Sequence, residues 1–138
     1  MKRILGIVVA LALIGGAIGL YLYNKPVQSL ANKKPAYSLP AGELLSAFQS
    51  DEAKANKEYL GKVIAVTGTI QEIAPGEDMQ MQVILDAGDI MSRVSCVMEE
   101  PYEQFLKRGL KKGDTVQIKG ECTGMAMDVV LDRCVMVE

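Results

Sequence analysis

Twenty uncharged residues in succession, Ile4 to Tyr23 (ILGIVVALALIGGAIGLYLY), constrain this chain more than any other feature. As a helix rising 1.5 Å per residue, such a run spans about 30 Å, the hydrocarbon thickness of a bilayer. Lys2 and Arg3 precede it, and Tyr21 and Tyr23 stand at its far end, where interfacial aromatic side chains belong. Two cations and the amino terminus outweigh Lys25 on the other side, which leaves the short N-terminal side in the cytoplasm. The run from Ile4 to Tyr23 therefore reads as the membrane anchor of a single-pass inner-membrane protein whose remainder faces away from the cytoplasm. A cleaved signal peptide is the alternative. It calls for an apolar core of ~7–15 residues and small residues at the cleavage site. This run is longer and ends in Leu20, Tyr21, Leu22 and Tyr23. A lipoprotein needs a Cys just after the apolar run, and the first here is Cys96.

Charge divides the chain at the same place. Residues 1–40 carry five basic side chains and no acidic one, whereas residues 41–138 carry 10 basic and 17 acidic side chains, a net of −7. Residues 24–40 (NKPVQSLANKKPAYSLP) hold Pro26, Pro35 and Pro40 and read as an extended tether. The expected organisation is an anchor over 1–23, a Pro/Lys linker over 24–40 and one domain over 41–138.

The domain begins with a helical pattern over 41–60, in which Leu44, Phe48, Ala55 and Tyr59 share one face. Gly61 and Lys62 mark its end. Alternation then predicts strands over 62–73, 79–86, 91–98, 115–122 and 128–137, with a short helix over 101–110 between the third and fourth. Gly68 suits a bulge or bend in the first strand. Five short strands with a helix after the third describe a mainly β oligonucleotide/oligosaccharide-binding (OB) barrel. The predicted fold is thus a five-stranded OB barrel preceded by one amphipathic helix and an N-terminal transmembrane helix. A five-stranded sandwich of another topology is the alternative.

Several short stretches occur in one order: Asp51-Glu52 with Ala55 and Tyr59, Gly61-Lys62, Val66-Thr67-Gly68, Val94-Ser95-Cys96, Lys112-Gly113-Asp114, Gly120 to Gly124, and Leu131 to Cys134. Together they resemble the bacterial tRNA-anti-like family of OB-fold proteins over roughly residues 41–137. The resemblance implies an exported or membrane-anchored OB barrel. A fold carries no function with it, so function rests on the residues.

Those residues disfavour nucleic acid. Single-strand binding on an OB face uses a basic groove and aromatic rings on which bases stack. The five strand segments contain no Phe, Tyr or Trp, and the domain is acidic. Lys107, Arg108, Lys111 and Lys112 cluster at a helix end, where cations complement the dipole.

Catalytic chemistry has no residues to name either. The chain lacks His, which removes His-based triads, His general bases and His haem or metal ligation. Neither an EF-hand pattern nor a CxxC motif occurs, so no enzyme activity and no cofactor is expected.

The three cysteines are disulfide candidates in an oxidising compartment. Cys122 and Cys134 flank the last hairpin, and a bridge between them would contribute roughly 3 kcal/mol in the chain-entropy model. Cys96 is the alternative partner. Met79 with Met81 and Met125 with Met127 offer soft thioethers for Cu(I), or else fill the core as Leu does.

The leading expectation is a non-catalytic binding or scaffold module at the outer face of the inner membrane, contacting an envelope protein or a small ligand. The alternatives are a periplasmic Cu(I) carrier and an oligonucleotide-binding OB face.

Overall fold

The structure, a computed structural model, describes residues 2–25 and 28–137. Pro26 of the predicted linker lies outside the described residues. Helix α1 (Lys2–Tyr23) contains the apolar run, and nothing among the described residues covers it. Its mean hydropathy over Arg3–Tyr23 is 2.5, long and apolar enough to cross a membrane.

The segment expected as a free tether is instead laid on the domain from Ser29 onward. Ser29 Oγ accepts from Ala31 N at 3.3 Å and starts a single 3-10 turn, Leu30–Asn32. Leu30 is wholly buried. Strand β1 (Tyr37–Pro40) then pairs in parallel with the first half of strand β2 (Val63–Pro75), Tyr37 opposite Ile64 and Pro40 opposite Thr67. Pro40 ends β1 and its fixed φ leads straight into helix α2 (Ala41–Ser50).

The helix expected over 41–60 is two helices. Asp51 breaks it with φ −155°, and its carboxylate caps α3 (Glu52–Tyr59) by accepting from Lys54 N at 3.0 Å. Asp prefers this cap because its side chain satisfies a backbone N–H that the helix leaves free. The predicted face is buried all the same: Leu44, Phe48, Ala55 and Tyr59 pack into the core. Tyr59 holds the two helices to the strap, edge-on to Tyr37 at 5.1 Å and tilted against Phe48 at 6.1 Å.

Strands β3 (Gln80–Asp86), β4 (Val94–Pro101), β5 (Thr115–Met125) and β6 (Val129–Met136) complete the sheet. Its order is β1-β2-β3-β4-β6-β5, and β5 returns to β2. Strands β2 to β6 thereby close a five-stranded barrel in which only β4 and β6 run parallel. One long strand makes the closure geometrically feasible. The first half of β2 pairs with β5 and its second half with β3, the hand-over falling at Thr69, which faces both Thr115 and Asp86. The bulge lies between Ile70 and Glu72 rather than at Gly68. Gly68 serves a different end, because a Cβ there would meet those of Ala41 and Leu85 at 3.2 Å. Its bare backbone lets the start of α2 seat on the barrel.

Helix α4 (Tyr102–Leu106) plugs the barrel between β4 and β5 with Phe105, which is fully buried. Burial of such a ring contributes about 3 kcal/mol. The predicted third strand and following helix both start later in the structure. Residues 87–93 form a loop, and Glu99 to Pro101 belong to β4, paired as far as Gln80 opposite Pro101.

Candidate binding groove

The outward side chains of β3, β4 and β6 form a polar depression across three strands of the barrel. Gln80 and Gln82 alternate with the buried Met81 and Val83 and so project outward. Gln82 Nε2 donates to Ser95 Oγ on β4, which fixes one amide. A hollow of about 400 Å³ is lined by Gly76, Glu77, Gln80, Gln82, Val97 and Asp132. It adjoins a second of about 230 Å³ that shares Gln80 and Asp132 and adds Met98, Glu99 and Arg133.

The turn at the groove's edge is held in an uncommon conformation. Asp78 and Met79 both have positive φ, 57° and 60°. This turn projects Met79 into solvent at 79% exposure while Met81 is fully buried. The two predicted thioethers therefore face opposite ways and do not form a pair. Met127 is likewise exposed at the tip of the last hairpin, with Met125 half-buried behind it.

Electrostatics in the groove are acidic. Glu77, Glu99 and Asp132 line it, and the guanidinium of Arg133 is tied to Glu121. Glu99 also accepts from Ser29 Oγ at 2.7 Å, which joins the groove to the strap. The predicted basic cluster lies elsewhere, after α4. Arg108 there pairs with Glu100 at 2.7 Å, and Lys107, Lys111 and Lys112 are exposed. No aromatic side chain occurs on β2 to β6.

Past Glu99 the surface opens into the mouth of the barrel, a cavity of about 650 Å³ between the strap, α4 and the end of β6. Lys119 forms part of its wall and is 9% exposed. Its ammonium donates to the carbonyls of Ala31 at 2.7 Å and Lys33 at 2.8 Å. A buried cation needs such partners, and these two latch the strap across the barrel. Sequence reasoning missed this latch. Its only local trace is a lone Leu30 among polar residues.

The cysteines are all buried and free. Cys122 faces Leu131 across β5 and β6, not Cys134. The Cys134 thiol instead meets that of Cys96 on β4, and burial pushes its pKa well up. Burial also raises that of Cys122. Among the described residues no three Asp, Glu or Cys side chains converge as a metal site. Two carboxylates hold the 87–93 loop. Asp89 accepts from Met91 N at 2.8 Å and from Gln49, and Asp128 from Arg93 N at 2.9 Å.

Comparison with known proteins places these features in context. A family model described as tRNA_anti-like matches residues 1–136. A protein of known structure from Klebsiella pneumoniae, named as a "putative nucleic acid-binding lipoprotein", is 20% identical with a TM-score of 0.57. That alignment covers 72% of this chain and 91% of the other. The yeast Stn1 and Ten1 structure aligns with a TM-score of 0.43 and 15% identity, covering 80% of this chain and 66% of that one. An asparaginyl-tRNA synthetase from Entamoeba histolytica gives a TM-score of 0.40 and 17% identity over 56% of this chain and 21% of its own. No curated protein matches.

Proposed function

This chain belongs to the tRNA_anti-like family, and from that premise we propose that it is a membrane-anchored, non-catalytic binding module whose barrel lies outside the cytoplasm. Helix α1 serves as the anchor, with Lys2 and Arg3 on the cytoplasmic side. Residues 24–28 are then the tether proper, because the chain is held by the barrel from Ser29. Five residues reach at most about 17 Å, so the barrel works close to the membrane surface.

The groove over β3, β4 and β6 is the binding face, and its ligand is a segment of an envelope protein. The observation that carries this reading is that two amides, Gln80 and Gln82, line the same hollows as the carboxylates of Glu77, Glu99 and Asp132. Amides and carboxylates together suit the N–H and C=O groups of an extended polypeptide and any Lys or Arg it carries.

Oligonucleotide binding is the second reading, favoured by the name given to the Klebsiella neighbour. Against it stand the missing rings and the excess of carboxylates, which repel phosphates.

One experiment separates the two. A photo-crosslinking amino acid is placed at Gln82 of the full-length chain in living cells, and a labelled single-stranded oligonucleotide is titrated onto the purified protein at low salt. The expected result is a discrete protein adduct and no oligonucleotide binding at low micromolar protein. Salt-dependent oligonucleotide binding with no protein adduct overturns the proposal.

A further inference from the structure

The mouth of the barrel holds two charges that have no counter-charge in the protein. Lys119 is nine-tenths buried in its wall, and two of its three ammonium protons go to the carbonyls of Ala31 and Lys33. Those carbonyls satisfy hydrogen bonds but do not neutralise the charge. Glu99 borders the same cavity of about 650 Å³, where its carboxylate accepts from the Ser29 hydroxyl at 2.7 Å. Among the described residues neither Lys119 nor Glu99 belongs to an ion pair, with each other or with any other side chain. The other two charged residues of the wall, Arg108 and Glu100, pair at 2.7 Å and so cancel. The cavity is therefore neutral as a whole but polarised, a cation on one side and a carboxylate on the other. A buried charge without a counter-ion is costly, and an anion in the cavity would offset that cost. The strap fixes both groups, through Ser29 on Glu99 and through the two carbonyls on Lys119.

We propose that this cavity binds a zwitterion of the phosphoethanolamine class, its phosphate at Lys119 and its ammonium at Glu99. The phosphate takes the third ammonium proton of Lys119, and the Glu99 carboxylate accepts from the ligand's ammonium; both are charge-assisted bonds. A simple anion fits less well, because Glu99 and Glu100 on the same wall repel it. An α-amino acid also fits less well. It holds both charges on one carbon, a short span for two side chains that do not meet. The volume lies within the range of about 300–1,000 Å³ common for small-molecule sites, and the buried Met98 with the half-buried Met136 offers an apolar wall to the rest of the molecule. Two sources supply this group, the free compound and the headgroup of phosphatidylethanolamine. The lipid is favoured only in so far as the anchoring proposed above holds, since a short tether keeps the strap near the bilayer surface.

The test uses the full-length chain in uncharged maltoside micelles. Phosphatidylethanolamine and phosphatidylglycerol are added in equal amounts and bound lipid is read by native mass spectrometry. Soluble O-phosphoethanolamine and glycine are titrated separately, followed by the NMR amide signals of Ala31 and Lys119. The expected result is a several-fold excess of bound phosphatidylethanolamine, its displacement by O-phosphoethanolamine, and no response to glycine. Glu99→Gln should weaken binding about tenfold and erase the preference over phosphatidylglycerol. Glu77→Gln, which lies in the groove but outside this cavity, should change neither. Binding of O-phosphoethanolamine without the lipid upholds the zwitterion site and makes the free compound its source. Equal binding of phosphatidylglycerol, an equal response to glycine, a Glu99→Gln variant that binds as before, or no binding of either form overturns the proposal. The crosslink from position 82 reports on the groove alone, so either site can fail without the other.

Discussion

Strands β4 and β6 carry two different chemistries on their two faces. Their inner face presents Cys96, Met98, Leu131 and Cys134, all buried. Their outer face presents Val97, Glu99 and Asp132 to the groove. The same backbone thus supplies a close-packed wall and a solvated binding surface, because successive side chains in a strand point to opposite sides. On the inner face a change of one methyl group is felt by neighbours that have nowhere to move. On the outer face water fills whatever a side chain vacates. Substitutions on the inside should therefore alter stability, and those on the outside should alter binding.

The strongest challenge to that contrast is Phe105→Ala, which empties the plug of the barrel. It should cost about 3–5 kcal/mol, read as a fall in the denaturant midpoint of the detergent-solubilised chain. A loss below 1 kcal/mol would show that α4 is not part of the packed interior. Gly120→Ala comes next, at about 1–3 kcal/mol, since the new methyl group collides with Cys134 Sγ.

Lys119→Met probes the boundary between the two regimes. It removes the ammonium that holds Ala31 and Lys33, and should cost about 1–3 kcal/mol because two carbonyls lose their partner. Trypsin cleavage after the exposed Lys33 should then accelerate while the barrel stays resistant. Unchanged cleavage would mean that the strap is held without the Lys119 latch.

Asp132→Asn should shift stability by no more than about 0.5 kcal/mol, yet weaken the protein crosslink formed from position 82. A large stability loss with crosslinking intact would reverse the assignment of the outer face.

The smallest effect concerns pH. Asp89 is held below the usual carboxylate range chiefly by the backbone N–H of Met91, then by the Gln49 amide. A depressed folded pKa means that the charged form is favoured in the fold. The turn is intact above the ordinary carboxylate pKa and is lost only as pH falls through the lower, folded value. The Met91 amide signal in NMR should therefore move at a more acidic pH than that of a free Asp peptide.

Legibility followed the range of the interactions involved. The amphipathic face of Leu44, Phe48, Ala55 and Tyr59 could be read directly, because helix periodicity is local. So could the outward amides of β3, where Gln80, Met81, Gln82 and Val83 alternate. The extra edge strand β1 could not, since four residues ending in Pro40 carry too little pattern. The strap was also invisible. Its latch joins Lys119 to carbonyls 86 and 88 residues away, and backbone carbonyls leave no mark in a sequence.

By itself the sequence determined an apolar segment of membrane-spanning length, an acidic domain without His, and a succession of five strands with a helix after the third. These follow from composition and from periods of 2 and 3.6 residues, which every short window contains. Tertiary structure alone decided that Cys134 meets Cys96 rather than Cys122, and that the linker lies on the barrel. The first outcome turns on a register shift, and the second on contacts between residues far apart in sequence. A single left-handed residue, Arg133, re-aims each side chain that follows it on β6. Where such a shift falls is set by the closure of the whole barrel and not by the residues beside it.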